Sequence, residues 1–235
     1  MKTVGIIGGL GPETTSKFYL EIISSCLKKN KNQRPAILIW SVPILLKVEE
    51  QLITKNVGEE KYLPLLIEAA KILEQAGANF LVMPCNTMHF FIEEIRNAIN
   101  IPVLSIVEET VSIIKKRKIS EVGILATSMT INKKLFKSKF NAVGIKEMIP
   151  NKKEQGVLDK VIHKLVLGKQ HFEDKVEVDK VIIKMVRQGI IKIILACTDL
   201  QLIIKTRSDA EIFDTMKILA DAAVEKINEE AKNYS

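Results

Sequence analysis

The chain has 235 residues, enough to bury a substantial hydrophobic core in one large domain or two small ones. Hydrophobic residues make up 47% of it, yet no apolar stretch approaches the roughly 18 residues that a membrane-spanning helix needs. The start breaks at Gly8 and Gly9 too early for a signal peptide, so we expect a cytoplasmic protein with no membrane partner.

The net charge of +7 comes mainly from lysine, and the lysine runs fall at the ends of predicted helices, where cations are favoured. Aromatic residues are only 5% of the chain, so no stacking surface accompanies this charge and no nucleic-acid partner is expected. Three cysteines and three histidines without ligand spacing favour a reduced protein with neither a disulfide framework nor a metal.

Short strand patterns alternate with longer helix patterns along the whole chain. The predicted strands are Thr3–Ile7, Ala36–Trp40, Phe80–Met83, Val103–Leu104, Val122–Leu125, Ile145–Met148, Ile191–Leu195 and Ile212–Phe213. The predicted helices are Thr14–Leu27, Tyr62–Gln75, Met88–Ala98, Glu108–Lys116, Asn132–Phe140, Lys152–Leu167, Val176–Gln188 and Met216–Glu230. This alternation predicts an α/β fold with parallel sheets and helices on both faces.

A glycine-rich loop, residues 5–15, follows the first predicted strand and leads into the first helix. A dinucleotide site is excluded, because its third glycine would fall at Thr14 and Trp40-Ser41, not an acidic residue, ends the second strand. Two interpretations of this loop stay open: its backbone approaches a small ligand, or it is a purely structural tight turn.

Two stretches of the chain repeat one another and each ends in a cysteine. In both, a helix ends at a glycine, Gly77 or Gly189, and an apolar strand leads to Cys85 or Cys197, eight residues after the glycine. The duplication predicts two similar α/β lobes, residues 1–101 and 102–210, with the C-terminal segment 211–235 packed back on the first. Because strand carboxyl ends face the ligand crevice in parallel sheets, two thiols should face one cleft, as two-base proton transfer requires.

The neighbours of the two cysteines carry further hypotheses. A thiol just before a helix should gain from the positive end of the helix dipole, so the pKa of Cys85 is expected to fall below about 8.5. His89 could orient this thiol or simply pack. Asp199 could steer Cys197 or the substrate ammonium group, or cap the next helix, and Thr127 could bind an anion or cap a helix. Cys26, on the first helix, is interpreted as core.

These motifs resemble the aspartate/glutamate racemase family of cofactor-independent amino-acid racemases. The resemblance rests on Gly8-Gly-Leu-Gly-Pro-Glu-Thr-Thr15, Pro84-Cys-Asn-Thr-Met-His89, Leu125-Ala-Thr127 and Ala196-Cys-Thr-Asp199, and covers nearly the whole chain. It implies two lobes related by pseudo-twofold symmetry, and two cysteines that remove and return the α-proton from opposite faces. We also expect a small amino-acid substrate and a homodimer.

The resemblance also implies a set of substrate-binding residues. They are Leu10, Gln51, Asn86, Thr87, Thr127, Lys164, Thr198 and Asp199. Strict aspartate racemases carry an arginine after strand two, but residues 43–49 contain none here and Lys47 is the nearest cation. The sequence therefore resembles the broad-specificity type more closely, and we expect loose selectivity between aspartate and glutamate.

The predicted function is racemisation of aspartate, glutamate or a related amino acid by Cys85 and Cys197. No phosphate-binding loop accompanies a candidate Schiff-base lysine, so no cofactor is expected and the thiols must move the proton themselves. The alternatives are another superfamily branch, such as a hydantoin racemase or maleate isomerase, and a ligand-binding protein without turnover.

Overall fold

The computed structural model describes residues 1–29 and 34–229, which form two four-stranded parallel sheets. The first sheet contains β1 (Val4–Gly8), β2 (Ile37–Ser41), β3 (Phe80–Val82) and β4 (Val103–Leu104). The second contains β5 (Glu121–Ala126), β6 (Lys146–Met148), β7 (Lys192–Ala196) and β8 (Glu211–Asp214). The orders are β2-β1-β3-β4 and β6-β5-β7-β8, so each sheet arranges its strands in the same way. The predicted α/β fold with two similar lobes is confirmed.

Ten α-helices connect and cover the strands of the described residues. They are α1 (Pro12–Lys29), α2 (Leu46–Lys55), α3 (Tyr62–Gln75), α4 (Ile92–Asn97), α5 (Ile106–Lys116), α6 (Ser128–Asn132), α7 (Leu135–Ala142), α8 (Lys152–Val166), α9 (Phe172–Arg187) and α10 (Thr215–Asn228). The helices before the two cysteine strands, α3 and α9, are followed by Gly77 and Gly189 with φ of 94° and 90°. Both glycines thus adopt the left-handed conformation that commonly follows a helix end.

One hydrophobic core runs through both lobes. Helix α10 packs against α1 of the first lobe and against α5, and buried side chains of β1, β5 and these helices belong to one cluster. The strands β1 and β5 are buried almost throughout, as parallel strands covered on both faces are. The lobes are therefore held together by apolar packing, which fixes the two cysteine strands relative to one another.

Sheet membership differs from the predicted lobe bounds at two short strands. β4 lies beyond residue 101 yet pairs with β3 in the first sheet, and β8 lies beyond residue 210 yet pairs with β7 in the second. Residues 230–235 of the predicted C-terminal segment lie outside the described residues. The division of the chain into domains at 101 and 210 stays a prediction.

Two predicted helices are interrupted, and two helices, α2 and α6, were not predicted. The segment Met88–Ala98 begins as a 3-10 turn, Thr87–Phe91, before α4, and Asn132–Phe140 breaks at Lys134, which has a φ of 54°. No helix was predicted between β2 and α3, where the structure contains α2. Its buried residues Val48 and Leu52 are four residues apart, which is a helical signal, and they anchor it on the first lobe.

Candidate active site

Both predicted catalytic cysteines line one cavity of about 50 Å³ at the carboxyl ends of β3 and β7. Ten residues were predicted to be catalytic or substrate-binding, and eight of them line the cavity: Leu10, Cys85, Asn86, Thr87, Thr127, Cys197, Thr198 and Asp199. The remaining walls come from Glu49, Leu52, Ile53, Tyr62, Met88, Ile162 and Val166, which the sequence did not single out. The cavity thus lies where the loops that follow both sheets meet, and α2 and α8 supply further lining residues.

The thiol of Cys85 follows β3 and lies beside the first turn of the segment Thr87–Phe91. The backbone N–H groups of Thr87 and Met88 stabilise its thiolate, but burial opposes them more strongly and raises the pKa of Cys85 to about 12. The carboxyl groups of Asp199 and Glu49 raise it further. The expectation that the pKa would fall below that of a free thiol is wrong for this structure, because loss of water outweighs two hydrogen bonds.

His89 holds the backbone of the Cys85 loop. Its Nε2 accepts a hydrogen bond from the N–H of Ile106 at 3.0 Å, so that nitrogen carries no proton. Its Nδ1 therefore donates to the Cys85 carbonyl at 2.7 Å. Burial lowers the pKa of His89 to about 4, which keeps the ring neutral at physiological pH. Of the two interpretations left open by the sequence, these contacts favour orientation of the cysteine loop.

Cys197 directly follows β7 and lies beside a carboxyl group. Its Sγ donates to Asp199 Oδ2 at 3.7 Å, while Thr14 Oγ1 donates to Asp199 Oδ1 at 2.6 Å. Burial and the charge of Asp199 raise the pKa of Cys197 well above its usual value. Asp199 makes no side-chain cap to the following helical turn, so its contacts favour the thiol over the capping role. Gly11, with a φ of 108°, lets the first loop approach, since a Cβ there would lie 3.1 Å from Asp199 Oδ1.

Hydrogen bonds join the two cysteine loops directly. Thr198 Oγ1 donates to the carbonyl of Pro84 at 3.2 Å, next to Cys85. On the other side, Asn86 Nδ2 donates to Thr215 Oγ1 at 3.0 Å, and Thr215 in turn donates to the Leu195 carbonyl at 2.8 Å. These hydrogen bonds fix the two cysteine loops relative to one another. The Thr198 hydroxyl already donates its proton to the Pro84 carbonyl.

Three threonine hydroxyls form a cluster that joins the Cys85 loop to the segment after β5. Thr87 Oγ1 lies 3.0 Å from Thr127 Oγ1 and 3.1 Å from Thr130 Oγ1, and the last two lie 3.0 Å apart. Thr127 also accepts from the N–H of Thr130 and so caps α6. Thr87 and Thr127 both line the cavity, so the cap and an anion-binding role are compatible.

Gln51 and Lys164 are not among the described residues that line the cavity. Lys164 Nζ instead forms an ion pair with Asp174 at 2.6 Å. On α2 it is Glu49 that borders the cavity, and burial together with the nearby charge of Asp199 raises its pKa. Tyr62 lies close enough to Glu49 and Cys85 for their charges to contribute, after burial, to a strongly raised pKa.

Metal sites, membrane-spanning helices and disulfides are absent from the described part of the chain. It contains no group of three or more His, Cys, Asp and Glu side chains arranged to bind a metal ion. It contains no helix with the length and apolar character needed to cross a bilayer. Its three cysteines, Cys26, Cys85 and Cys197, are all free.

The chain is similar to known racemases over most of its length. The family model for Asp/Glu/hydantoin racemases matches residues 7–223. The broad specificity amino-acid racemase RacX of Bacillus subtilis (strain 168) is 28% identical over 226 residues, which cover 94% of this chain and 96% of RacX.

Two solved structures superpose over almost the whole chain. A protein from Yersinia pestis assigned to the Asp/Glu racemases has a TM-score of 0.82 and 30% identity, with 97% of this chain and 99% of that chain covered. An aspartate racemase homologue from Pyrococcus horikoshii OT3 has a TM-score of 0.77 and 28% identity, with coverage of 97% and 100%. Both likenesses extend through the two lobes.

Proposed function

This chain belongs to the Asp/Glu/hydantoin racemase family and is therefore an isomerase, and we propose that it inverts the α-carbon of an amino acid through Cys85 and Cys197. The observation that carries this proposal is the pair of free thiols, one from each repeated unit, on a single cavity. Such a pair can act on opposite faces of one carbon without a cofactor.

The proposed reaction is a balanced transfer of two protons. One cysteine, as thiolate, takes the α-proton, and the electron pair of the broken C–H bond stays on the substrate as a carbanion. The other cysteine, as thiol, then gives its proton to the opposite face and becomes the thiolate. The enzyme finishes with the two protonation states exchanged, which is the state that the reverse direction requires.

The surroundings of the thiols support an assignment for one direction. Backbone N–H groups of Thr87 and Met88 favour the thiolate of Cys85, whereas Asp199 favours the protonated form of Cys197. Cys85 would therefore be the base and Cys197 the acid in the first half-reaction of the resting enzyme. Because burial raises the pKa of both, one thiol must lose its proton before catalysis begins.

The polar groups around the thiols support positions for the substrate's backbone groups. The hydroxyls of Thr87 and Thr127 can donate to the α-carboxylate, in keeping with their predicted roles. The carboxyl group of Asp199, beside Cys197, can accept from the α-ammonium group. Leu10 supplies apolar contact from the glycine-rich loop.

Aspartate and glutamate stay predictions as substrates, as do the homodimer and the cytoplasmic location. Gln51 and Lys164, which were expected to contact substrate, do not line the cavity. The described lining therefore gives no support for binding of a second substrate carboxylate by these two residues. A hydantoin racemase remains the alternative within this family.

The test is α-proton exchange in D₂O for a panel of L- and D-amino acids, followed by NMR, with racemisation measured by chiral chromatography. Cys85→Ser and Cys197→Ser should each lower racemisation by at least about 10³-fold, because a serine hydroxyl is far too weak an acid to replace a thiol. Cys26→Ser, in the buried core away from the cavity, is the matched control. Wild-type racemisation by either active-site variant would overturn the two-cysteine mechanism.

A further inference from the structure

The lining of the cavity is acidic and apolar. Glu49 and Asp199 contribute two carboxyl groups, and none of the described lining residues is a lysine or an arginine. The two groups lie close enough that Asp199 contributes to the raised pKa of Glu49. A substrate with a second carboxylate would add a further negative charge to this site, with no cation to receive it.

Two hydrogen-bond acceptors in the same lining lack a donor. The Glu49 carboxylate has no hydrogen-bonding or ion-pairing partner among the described residues, although it is only partly exposed. Asn86 Oδ1 is fully buried and likewise unpartnered within the described chain. Because Thr215 Oγ1 gives its proton to the Leu195 carbonyl, it must accept from Asn86 Nδ2, and this fixes Oδ1 as the free acceptor.

These acceptors belong to different elements of the fold. Asn86 and Asp199 belong to the two cysteine loops, next to the position where the α-carbon must lie between the thiols. Glu49 belongs to α2, whose Leu52 and Ile53 also line the cavity and face the lining residues of α8.

Much of the remaining lining is aliphatic. Leu52 and Ile53 of α2, with Ile162 and Val166 of α8, provide branched apolar side chains that suit a chain of methylene groups. The lining therefore combines acceptors on the cysteine loops, aliphatic side chains on α2 and α8, and the unpartnered carboxylate of Glu49.

We propose that the substrates are amino acids whose aliphatic side chain ends in a cation, such as lysine or ornithine. This inference rests on the proposed function. Asp199 and Asn86 Oδ1 accept from the α-ammonium group, the methylene groups pack on Leu52, Ile53, Ile162 and Val166, and Glu49 pairs with the terminal cation. Glu49 is thereby the residue that determines side-chain specificity.

The experiment measures α-proton exchange and racemisation by the wild-type chain for lysine, ornithine, norleucine, glutamate and aspartate. Norleucine has a side chain of similar shape to lysine without the charge. Lysine or ornithine should show a kcat/KM about tenfold or more above norleucine, and aspartate and glutamate should be poorer still, because a hydrogen-bonded charge pair contributes at least that factor.

The variant Glu49→Gln keeps the size of the side chain and removes its charge. It should lower the ratio of kcat/KM for lysine to that for norleucine by about 10- to 100-fold, mainly through KM for lysine. Glu50→Gln is the matched control, since Glu50 is the exposed neighbour on the same helix, and it should leave this ratio unchanged.

The outcomes distinguish failure of the proposed racemase function from failure of the inferred substrate class. Absence of exchange for every amino acid would overturn the proposed function itself. Exchange that favours aspartate or glutamate over lysine and ornithine would overturn this inference while the two-cysteine racemase stands. Preference for lysine that survives Glu49→Gln undiminished would overturn the role of Glu49.

Discussion

The two cysteine loops occupy equivalent places in the two lobes, yet they surround their thiols with different chemistry. Cys85-Asn86-Thr87 follows β3 and Cys197-Thr198-Asp199 follows β7, and each of these strands lies third along the chain within its own sheet. Four residues after each cysteine stand His89 and Gln201. The fold repeats, but a hydroxyl stands in one loop where a carboxyl group stands in the other.

This difference sets the acid strengths of the thiols apart. The Cys85 thiolate is favoured by two backbone N–H groups, whereas the Cys197 thiol donates to a carboxylate and is more completely buried. Since burial raises the pKa of both, the polar neighbours decide which thiol loses its proton first. Two similar lobes can thus supply one base and one acid, which is what proton transfer across a single carbon needs.

Among the neighbours of the two thiols, the largest effect is expected from removal of the Asp199 charge. Asp199→Asn keeps an acceptor for Thr14 but takes away the carboxylate beside Cys197, so racemisation should fall by about 100-fold. The same change should lower the pKa of Cys197 and speed its alkylation. Asp221→Asn, on α10 and away from the cavity, is the control. Unchanged turnover would show that Asp199 does not distinguish the two loops.

The pH dependence of the rate tests the raised thiol pKa values. Because the Cys85 thiolate must form first and its pKa lies near 12, kcat/KM should rise with pH, approaching tenfold per unit between about pH 6 and about pH 9. The measurement is initial racemisation rate across this range at sub-saturating substrate. A flat profile would mean that one thiol is already ionised at neutral pH.

Alkylation rates compare the two thiols directly. Cys85 is partly exposed and Cys197 is buried beside a carboxylate, so iodoacetamide should modify Cys85 about tenfold faster. Peptide mass spectrometry over time reports each site, with buried Cys26 as the internal reference. Faster modification of Cys197 would reverse the assignment of base and acid.

Acid should weaken the Cys85 loop through protonation of His89. The folded pKa of His89 is about 4 against an unfolded value of about 6.5, so the unfolded chain takes up the proton first as the pH falls. This contribution to stability is complete above about pH 6.5 and is lost progressively towards pH 4, to the extent of about 3 kcal/mol. Gln201, which takes the place of His89 in the other lobe, does not titrate.

Urea unfolding at a series of pH values measures this loss. His89→Gln should flatten the dependence of the free energy of unfolding on pH over that range. His171→Gln, at an exposed histidine, should retain the wild-type dependence. Equal dependence in both variants would show that His89 does not carry the proton-linked stability.

The contribution of helix α2 to the cavity was not predicted from the sequence. Glu49, Leu52 and Ile53 lie three and four residues apart, so they share one helix face, and that face borders the cavity. Gln51 lies two residues from Glu49, roughly 200° around the helix, and points elsewhere. Because no helix was predicted in this segment, the angular position of its residues around a helix axis could not be used to identify which of them face the cavity.

By itself the sequence determined the α/β repeat, the glycines at the helix ends and the two cysteines at the carboxyl ends of equivalent strands. These features follow from local periodicity and from the direction of parallel strands, which neighbouring residues encode. Only the tertiary structure decided the pKa shifts of Cys85 and His89 and the entry of Glu49 into the cavity. Burial and charge at a point depend on side chains that are distant in sequence, and those meet only when both lobes have closed around the site.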